Sequence, residues 1–175
     1  MNAIMISIHP EWCEKIASGK KTIEVRKTRP KIDVPFTCYI YETASCIFSR
    51  DILGREYYHG FQGKGMVIGE FLCRKIGAFP MQSASVKELS AMSIVSEKEL
   101  LKYAGKNTLL YGWHISDLVI YDKPKDISSF RHPCPNDGPW CTMCRYVKNY
   151  RGKLLCGSIL TRPPQSWCYV DDSPI

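Results

Sequence analysis

Lys21, Glu24 and Arg26 stand within six residues of one another in the stretch SGKKTIEVR, and with Gly19 they form the spacing G-x-K-x-x-E-x-R. A carboxylate between two cations is held ionised by their charge, and the trio presents both donors and acceptors. Such a set suits a base edge together with a phosphate better than it suits an apolar ligand. The bland alternative is a solvated strand face carrying a surface ion pair, which contributes only about 0–1 kcal/mol. Spacing alone leaves both open.

The second stretch with chemistry in it is RHPCPNDGPWCTMC, which holds Cys134 and the pair Cys141-x-x-Cys144, with Cys156 following. A C-x-x-C pair puts two thiolates within reach of one tetrahedral ion, and two more distant ligands complete a closed structural zinc site. Cys134 and Cys156 are the natural completions, with His132 or Cys168 as substitutes. A zinc site would supply folding energy to a segment with few apolar residues of its own. Two other readings compete: free thiols packed against the domain beside Trp140 and Trp167, and a redox C-x-x-C, for which no strand-to-helix context is visible. Cys13, Cys38 and Cys73 fall in predicted helix or strand and read as core residues.

Elements must position these groups. Residues 3–8 read as a short apolar strand, and His9-Pro10 then opens a helix with Pro10 at its first position. Trp12, Ile16 and Ala17 give that helix an apolar stripe, Glu11 and Glu14 lie near its positive end, and Gly19 stops it in the left-handed conformation. Residues 22–26 alternate strictly, so Ile23 and Val25 point to a core while Thr22, Glu24 and Arg26 share the opposite face. Strand character returns at residues 36–43, 65–76 and 111–121, with helices over residues 86–92 and 97–104. Ser96 and Glu99 make a capping-box signature for the second helix, and Gly105 ends it. Residues 46–63 read as a long loop, and the last residues, around WCYV, as one more strand.

The bulk numbers bound the class. The chain has 175 residues, 45% hydrophobic and 23% charged, enough for one well-buried domain. No apolar run approaches the roughly 20 residues that span a bilayer. The start of the chain has no signal-peptide pattern, and its nine cysteines are odd in number and clustered late. A cytoplasmic protein with no membrane association is the expectation. The formal charge of +7 favours polyanionic partners without separating RNA from DNA or free nucleotides.

Several quoted segments also resemble a known family. ISIHPEWCEKIASGKKTIEVRK looks like the opening of ASCH domains with their G-x-K-x-x-E-x-R motif. YIYET, the VIGEF strand and WHISDLVIYDKP continue the likeness in order. The ending LTRPPQSWCYV is similar to that of phage-type and bacterial members with a C-terminal extension. The resemblance implies an α+β fold, a PUA-like small β-barrel with a few short flanking helices and an irregular Cys-rich C-terminal elaboration. It implies a barrel over residues 1–127 and a tail over 163–175 that returns to the barrel, on either side of the Cys-rich insertion, residues 128–162, in which the cysteine spacing suggests a zinc knuckle. The ligand would be RNA, another single-stranded nucleic acid or a modified nucleoside, held by Gly19, Lys21, Thr22, Glu24 and Arg26.

One branch of the superfamily removes the acetyl group from N4-acetylcytidine using a lysine, a threonine and a later acid. Lys21 falls on the lysine position, but Glu24 stands where the threonine would be, and Glu97 or Glu99 is the available acid. The alternative to a binding module is therefore a nucleoside-directed hydrolase or a ribonuclease, with Glu24 as base and Lys21 stabilising an oxyanion.

Two basic runs frame the motif and the tail: Lys20, Lys21, Arg26, Lys27, Arg29 and Lys31, then Arg145, Lys148, Arg151 and Lys153. Phosphate contacts of this kind supply most non-specific nucleic-acid affinity, although such runs are also ordinary soluble surface. Tyr57, Tyr58, His59 and Phe61 could stack on an unpaired base or cover a core edge. His114, beside Trp113 in a predicted strand, reads as structural rather than catalytic.

Overall fold

The computed structural model describes residues 2–134, 147–150, 153–156 and 158–171. Strands β1 (Asn2–Ile8), β2 (Ile23–Arg26), β3 (Phe36–Glu42), β6 (Met66–Pro80), β7 (Leu109–Lys125) and β10 (Trp167–Asp171) form one six-stranded sheet in the order β10-β1-β3-β6-β7-β2. Helix α1 (Pro10–Ala17) links β1 to β2, while α2 (Ser83–Ser93) and α3 (Glu97–Ala104) link β6 to β7. A 3-10 turn, Ile127–Ser129, follows β7. Two further pairs, β4 (Ser45–Arg50) with β5 (Glu56–Gln62) and β8 (Val147–Tyr150) with β9 (Lys153–Cys156), stand apart from the main sheet.

Side-chain alternation divides this sheet between cores. Ile4, Ile6 and Ile8 of β1 join Phe36, Cys38 and Ile40 of β3 in one cluster with Cys13, Ile16, Phe71 and Trp113. Ala3 and Met5 point the other way and join Tyr39, Tyr41, Ile127, Phe130, Leu160 and Val170. The period of two carries each strand's residues to opposite faces, and both faces here are covered. Trp113 is fully buried, edge-on to Phe36 at 5.8 Å and tilted against Trp167 at 5.8 Å. A third cluster of Val25, Phe79, Val86, Leu89, Leu100, Ala104 and Leu110 holds α2 and α3 on the sheet.

The expected barrel is not closed. Backbone pairing runs in a line from β10 to β2, and no ladder joins those two edges among the described residues. Three register shifts along β6 and β7 bend the sheet without closing it. The barrel expectation rested on strand count and resemblance, neither of which fixes closure. No helix among the described residues is long and apolar enough to cross a membrane.

Two local expectations also change. Residues 46–63, read as a loop, contain the β4–β5 hairpin, with a bulge between Ile47 and Phe48. The side chains of Phe48, Tyr57 and Tyr58 are exposed, so the hairpin lacks the one-sided apolar alternation that reveals a strand. Its turn is built by Asp51, whose carboxylate accepts from the backbone N–H of Leu53 and Arg55. On α1 the buried residues are Cys13 and Ile16; Ala17 is exposed and Trp12 only partly covered. By contrast the capping box of α3 is present as expected, with Ser96 accepting from the Glu99 amide and Glu99 from the Ser96 amide.

Cys13, Cys38 and Cys73 are buried core thiols. Burial pushes all three upward, Cys73 to about 11 and the other two further. A thiol whose folded pKa is raised adds stability that is fully present below the ordinary value near 9 and is lost as pH rises through the folded value. Buried Lys21, displaced downward, contributes the opposite slope above its own folded value. Net unfolding free energy should therefore fall between pH 9 and 11, by about 1.4 kcal/mol per pH unit for each raised thiol. Urea midpoints measured across that range should show a shallower decline for Cys73→Ala; identical slopes would mean the thiol is not shielded.

Candidate functional site

Helix α1 ends in a tight reversal that delivers Lys21 inward. Gly19 takes the left-handed conformation at φ +71°, its amide donates to the Ile16 carbonyl, and the Lys21 amide donates to the Lys15 carbonyl at 2.9 Å. With no Cβ, Gly19 adopts this turn without penalty. The chain then enters β2, where Ile23 and Val25 face α2 and Glu24 and Arg26 face the opposite way. That second face is not solvent: Lys21 is 2% exposed, Glu24 5% and Arg26 8%. The solvated-face reading of this motif is thereby overturned.

The three side chains form one linked group. Arg26 Nη1 donates to Glu24 Oε1 and to the Val25 carbonyl, while Nη2 donates to the Ser7 carbonyl of β1 at 2.6 Å. Lys21 Nζ lies 3.6 Å from Glu24 Oε2 and donates to the Ser93 carbonyl at 3.1 Å, at the C-terminal end of α2. Burial pushes the Lys21 ammonium below its ordinary pKa, against the upward pull of Glu24. Two buried polar atoms of the group, Glu24 Oε2 and Arg26 Nε, have no hydrogen-bond partner among the described residues.

This group lies along a cleft of about 630 Å³ between α1, β2 and α3. Trp12 forms one wall, with Lys15 Nζ 4.0 Å and Lys21 Nζ 5.0 Å from its ring centroid. Tyr103 of α3, 39% exposed, stands at the rim with Lys27 Nζ 4.9 Å from its ring. Lys102 and Glu99 line the same side. Hydrogen bonds from Ser96 hold the Glu99 carboxyl below its usual range, so it stays ionised as a helix cap. His9 lines the cleft next to the base of the β4–β5 hairpin, 3.3 Å from the Thr43 hydroxyl. The arrangement offers a buried acceptor and donors at the bottom, aromatic faces at the sides and ammonium groups at the mouth.

Of the residues expected here, Lys21, Glu24 and Arg26 come together. Gly19 shapes the turn without lining the cleft, and Thr22 is exposed, its carbonyl accepting from the Ile115 amide. Glu97 and His114 also lie outside it; His114 sits in β7 opposite Ile23, its pKa lowered by burial and Lys75. Trp12, Lys102 and Tyr103 were missed. Trp12 was assigned to a helix stripe, and nothing in the sequence brings α3 to α1. Tyr57 and Tyr58 are exposed on β5; the side chains of His59 and Phe61 lie outside the described residues.

The cysteine expectation is only partly reachable. Cys134, Cys156 and Cys168 are half-buried, while Cys141 and Cys144, with Trp140, Arg145 and Arg151, lie outside the described residues, as do the side chains of Lys148 and Lys153. Among the described residues no group of three or more His, Cys, Asp or Glu gathers to hold a metal. The His132 ring instead contacts the Tyr169 carbonyl at 3.0 Å.

Comparison with known proteins finds the ASCH domain family over residues 6–115, a span that holds the whole Lys21–Glu24–Arg26 group and stops before the Cys-rich region. Among solved structures the fold is similar to ASCH from Zymomonas mobilis, at 19% identity with a TM-score of 0.60, covering 97% of this chain and 88% of that one. Two mutant forms of the Zymomonas protein match similarly. One has 18% identity, a TM-score of 0.56 and coverage of 97% and 91%. The other has 19% identity, a TM-score of 0.57 and coverage of 97% and 89%. No curated protein sequence matches.

Removing the central carboxylate tests the buried cluster. Glu24→Ala strands two buried cations and should cost about 3–5 kcal/mol in urea unfolding. Glu24→Gln should cost less, because its carbonyl still accepts from Arg26. Glu56→Ala, which breaks the exposed Arg50–Glu56 pair, should cost at most about 1 kcal/mol. Equal effects at positions 24 and 56 would contradict the burial.

Proposed function

Because the chain belongs to the ASCH domain family, whose span includes the cleft, we propose that it binds a single-stranded nucleic acid, RNA in the first instance, or a modified nucleoside in that cleft. The observation that carries the reading is a buried cluster of Lys21, Glu24 and Arg26 beneath a mouth formed by aromatic and ammonium groups. Stacking on Trp12 or Tyr103 would hold a base at any sequence. Lys27 and Lys102 would meet the phosphates that follow it. The partner is a polyanion or its nucleoside unit, and the reducing cytoplasm suits a chain with this many thiols.

A hydrolase on the same cleft is the second reading. It is favoured by one observation: Lys21, its ammonium destabilised by burial, lies 3.6 Å from Glu24. In that reading Glu24 would activate water against the carbonyl of an acylated nucleoside, while Lys21 stabilises the oxyanion and the base amine leaves.

The cysteine-rich region would hold a structural zinc through Cys134, Cys141, Cys144 and Cys156. Support comes from the pairing of Arg131 with Ile159 and of the His132 amide with the Ser158 carbonyl, which brings the segments carrying Cys134 and Cys156 side by side. The zinc would supply folding energy and no reaction step. Metal analysis of the purified chain should find one zinc, lost together with thermal stability in Cys134→Ser; no zinc in protein prepared without chelator would remove this assignment.

Titration with single-stranded RNA and DNA at two salt concentrations tests the main reading, with acylated nucleosides run in parallel and products weighed. Lys102→Ala should lower the slope of log affinity against log salt by about 0.7 if it meets one phosphate of a single strand. Tyr103→Ala should weaken binding by about 1–3 kcal/mol if a base stacks on it. Binding indifferent to both substitutions would move the ligand elsewhere. Deacylated product that disappears in Lys21→Met would establish the hydrolase.

A further inference from the structure

Within the cleft, the two unsatisfied atoms ask for different partners. Glu24 Oε2 is a buried acceptor and Arg26 Nε–H a buried donor, and neither has a hydrogen-bond partner among the described residues. The other carboxylate oxygen of Glu24 is already held by Arg26, and the Arg26 Nη atoms are held by Glu24, Val25 and Ser7. Lys21 Nζ, at 3.6 Å from Oε2, is an ion-pair neighbour beyond normal hydrogen-bond length, and it donates to Ser93. Leaving a buried polar atom unpaired is costly, and such atoms mark places where a partner is missing.

A phosphodiester, which carries no O–H, cannot serve both atoms. Its oxygens would satisfy Arg26 Nε but would meet the Glu24 carboxylate as like charge, whereas a nucleobase edge places an N–H beside a carbonyl or ring nitrogen. We propose that Glu24 is the specificity-determining residue of the cleft, accepting a hydrogen bond from an N–H on the edge of a nucleobase, with phosphate held out at the mouth. This rests on the nucleic-acid reading given above and deepens it. The ligand class is a base that keeps at least one N–H on its pairing edge. Cytosine, adenine, guanine and uracil bases qualify, as do derivatives substituted once at the exocyclic nitrogen. Bases whose edge N–H is fully replaced do not. Glu24 lines the cleft with its side chain 7% exposed, and the Lys21 ammonium, 3.6 Å from Oε2 and 5.0 Å from the Trp12 ring centroid, is the neighbour a ligand displaces to reach it.

The glutamate at this position is what makes the discrimination sharp. A site that presents a charged buried acceptor loses little to a ligand that donates to it, and much to one that leaves it unpaired. A hydroxyl at the same place would donate as well as accept and would tolerate both kinds of base edge.

The test needs nucleosides in matched pairs: cytidine with N4,N4-dimethylcytidine, adenosine with N6,N6-dimethyladenosine, and uridine with N3-methyluridine. Affinities are measured by calorimetry for the unaltered chain and for Glu24→Gln, with dimethyl phosphate, a phosphodiester, as competitor. The expected result is that whichever parent binds best is preferred over its alkylated partner by about ten- to a hundredfold. That preference should fall to within about threefold or reverse in Glu24→Gln, since its carbonyl stays with Arg26 and its NH2 then turns a donor to the ligand in place of the acceptor. Dimethyl phosphate should leave nucleoside binding unchanged. Equal binding of parent and alkylated nucleosides would overturn the assignment while leaving the cleft a nucleoside site, and so would a preference that survives in Glu24→Gln. Should Glu24→Gln fail to fold, the matched pairs on the unaltered chain decide alone. Should no nucleoside and no oligonucleotide bind, the nucleic-acid reading falls and this one with it.

Discussion

Arg26 ties the edge strand β2 to β1, a strand of the same sheet with which β2 forms no ladder among the described residues. Among the described residues β2 is held by backbone ladder to β7 alone, at one end of the strand order, while β1 lies next to the other end, inside β10, which leaves an opening between β2 and β1. The guanidinium spans that opening, bonded to Glu24 within its own strand and to the Ser7 carbonyl of β1. A side chain thus links two strands that no ladder joins. Burying such charges is expensive, and an ion pair so placed adds little net stability against an apolar alternative. It does fix geometry, because a guanidinium with three separate acceptors has few ways to sit.

The same cluster sets the wall opposite. Lys21 donates to the Ser93 carbonyl at the end of α2, where a cation also complements the helix dipole. Immediately afterwards Ile94 takes a left-handed conformation at φ 56°, which costs a β-branched residue about 1–2 kcal/mol. That turn aims the chain into α3, whose capping box fixes its first residues and whose Leu100 and Ala104 pack into the third core. Tyr103 and Lys102 are carried to the cleft by these steps. Wall and floor are therefore one mechanical unit, joined by the Lys21 ammonium and by Val25 of β2 in the third core.

Much of this was legible before any fold was known. The capping box, the proline-led first helix, the left-handed Gly19 and the strands bearing Ile4, Ile40, Val67 and Trp113 follow from local rules that act within a few residues. So does the grouping of Lys21, Glu24 and Arg26, since a helix stop followed by a strand repeats every second side chain on one face. Burial of that group was not legible, because alternation says which residues share a face and not what covers it. The cleft's aromatic side was hidden for a related reason: Trp12 and Tyr103 are far apart in sequence and meet through packing of α3 against the sheet. The hairpin was missed because the side chains of Cys46, Ile47, Phe48, Tyr57 and Tyr58 are exposed, leaving no one-sided hydrophobic period to detect.

That hairpin interrupts a connection which had no need of it. β3 ends at Glu42 opposite Met66, where β6 begins, so these antiparallel neighbours lie within reach of an ordinary short turn. The excursion from Ser45 to Gln62 starts and returns at one spot, where the Gly63 backbone passes so close to Thr43 and Pro10 that a Cβ would collide with both. Everything beyond that gate is free to change length and composition without disturbing the register of the sheet. Lineages sharing this fold can therefore diversify there at little cost to the scaffold, and a protein engineer would choose the same position to graft a foreign loop.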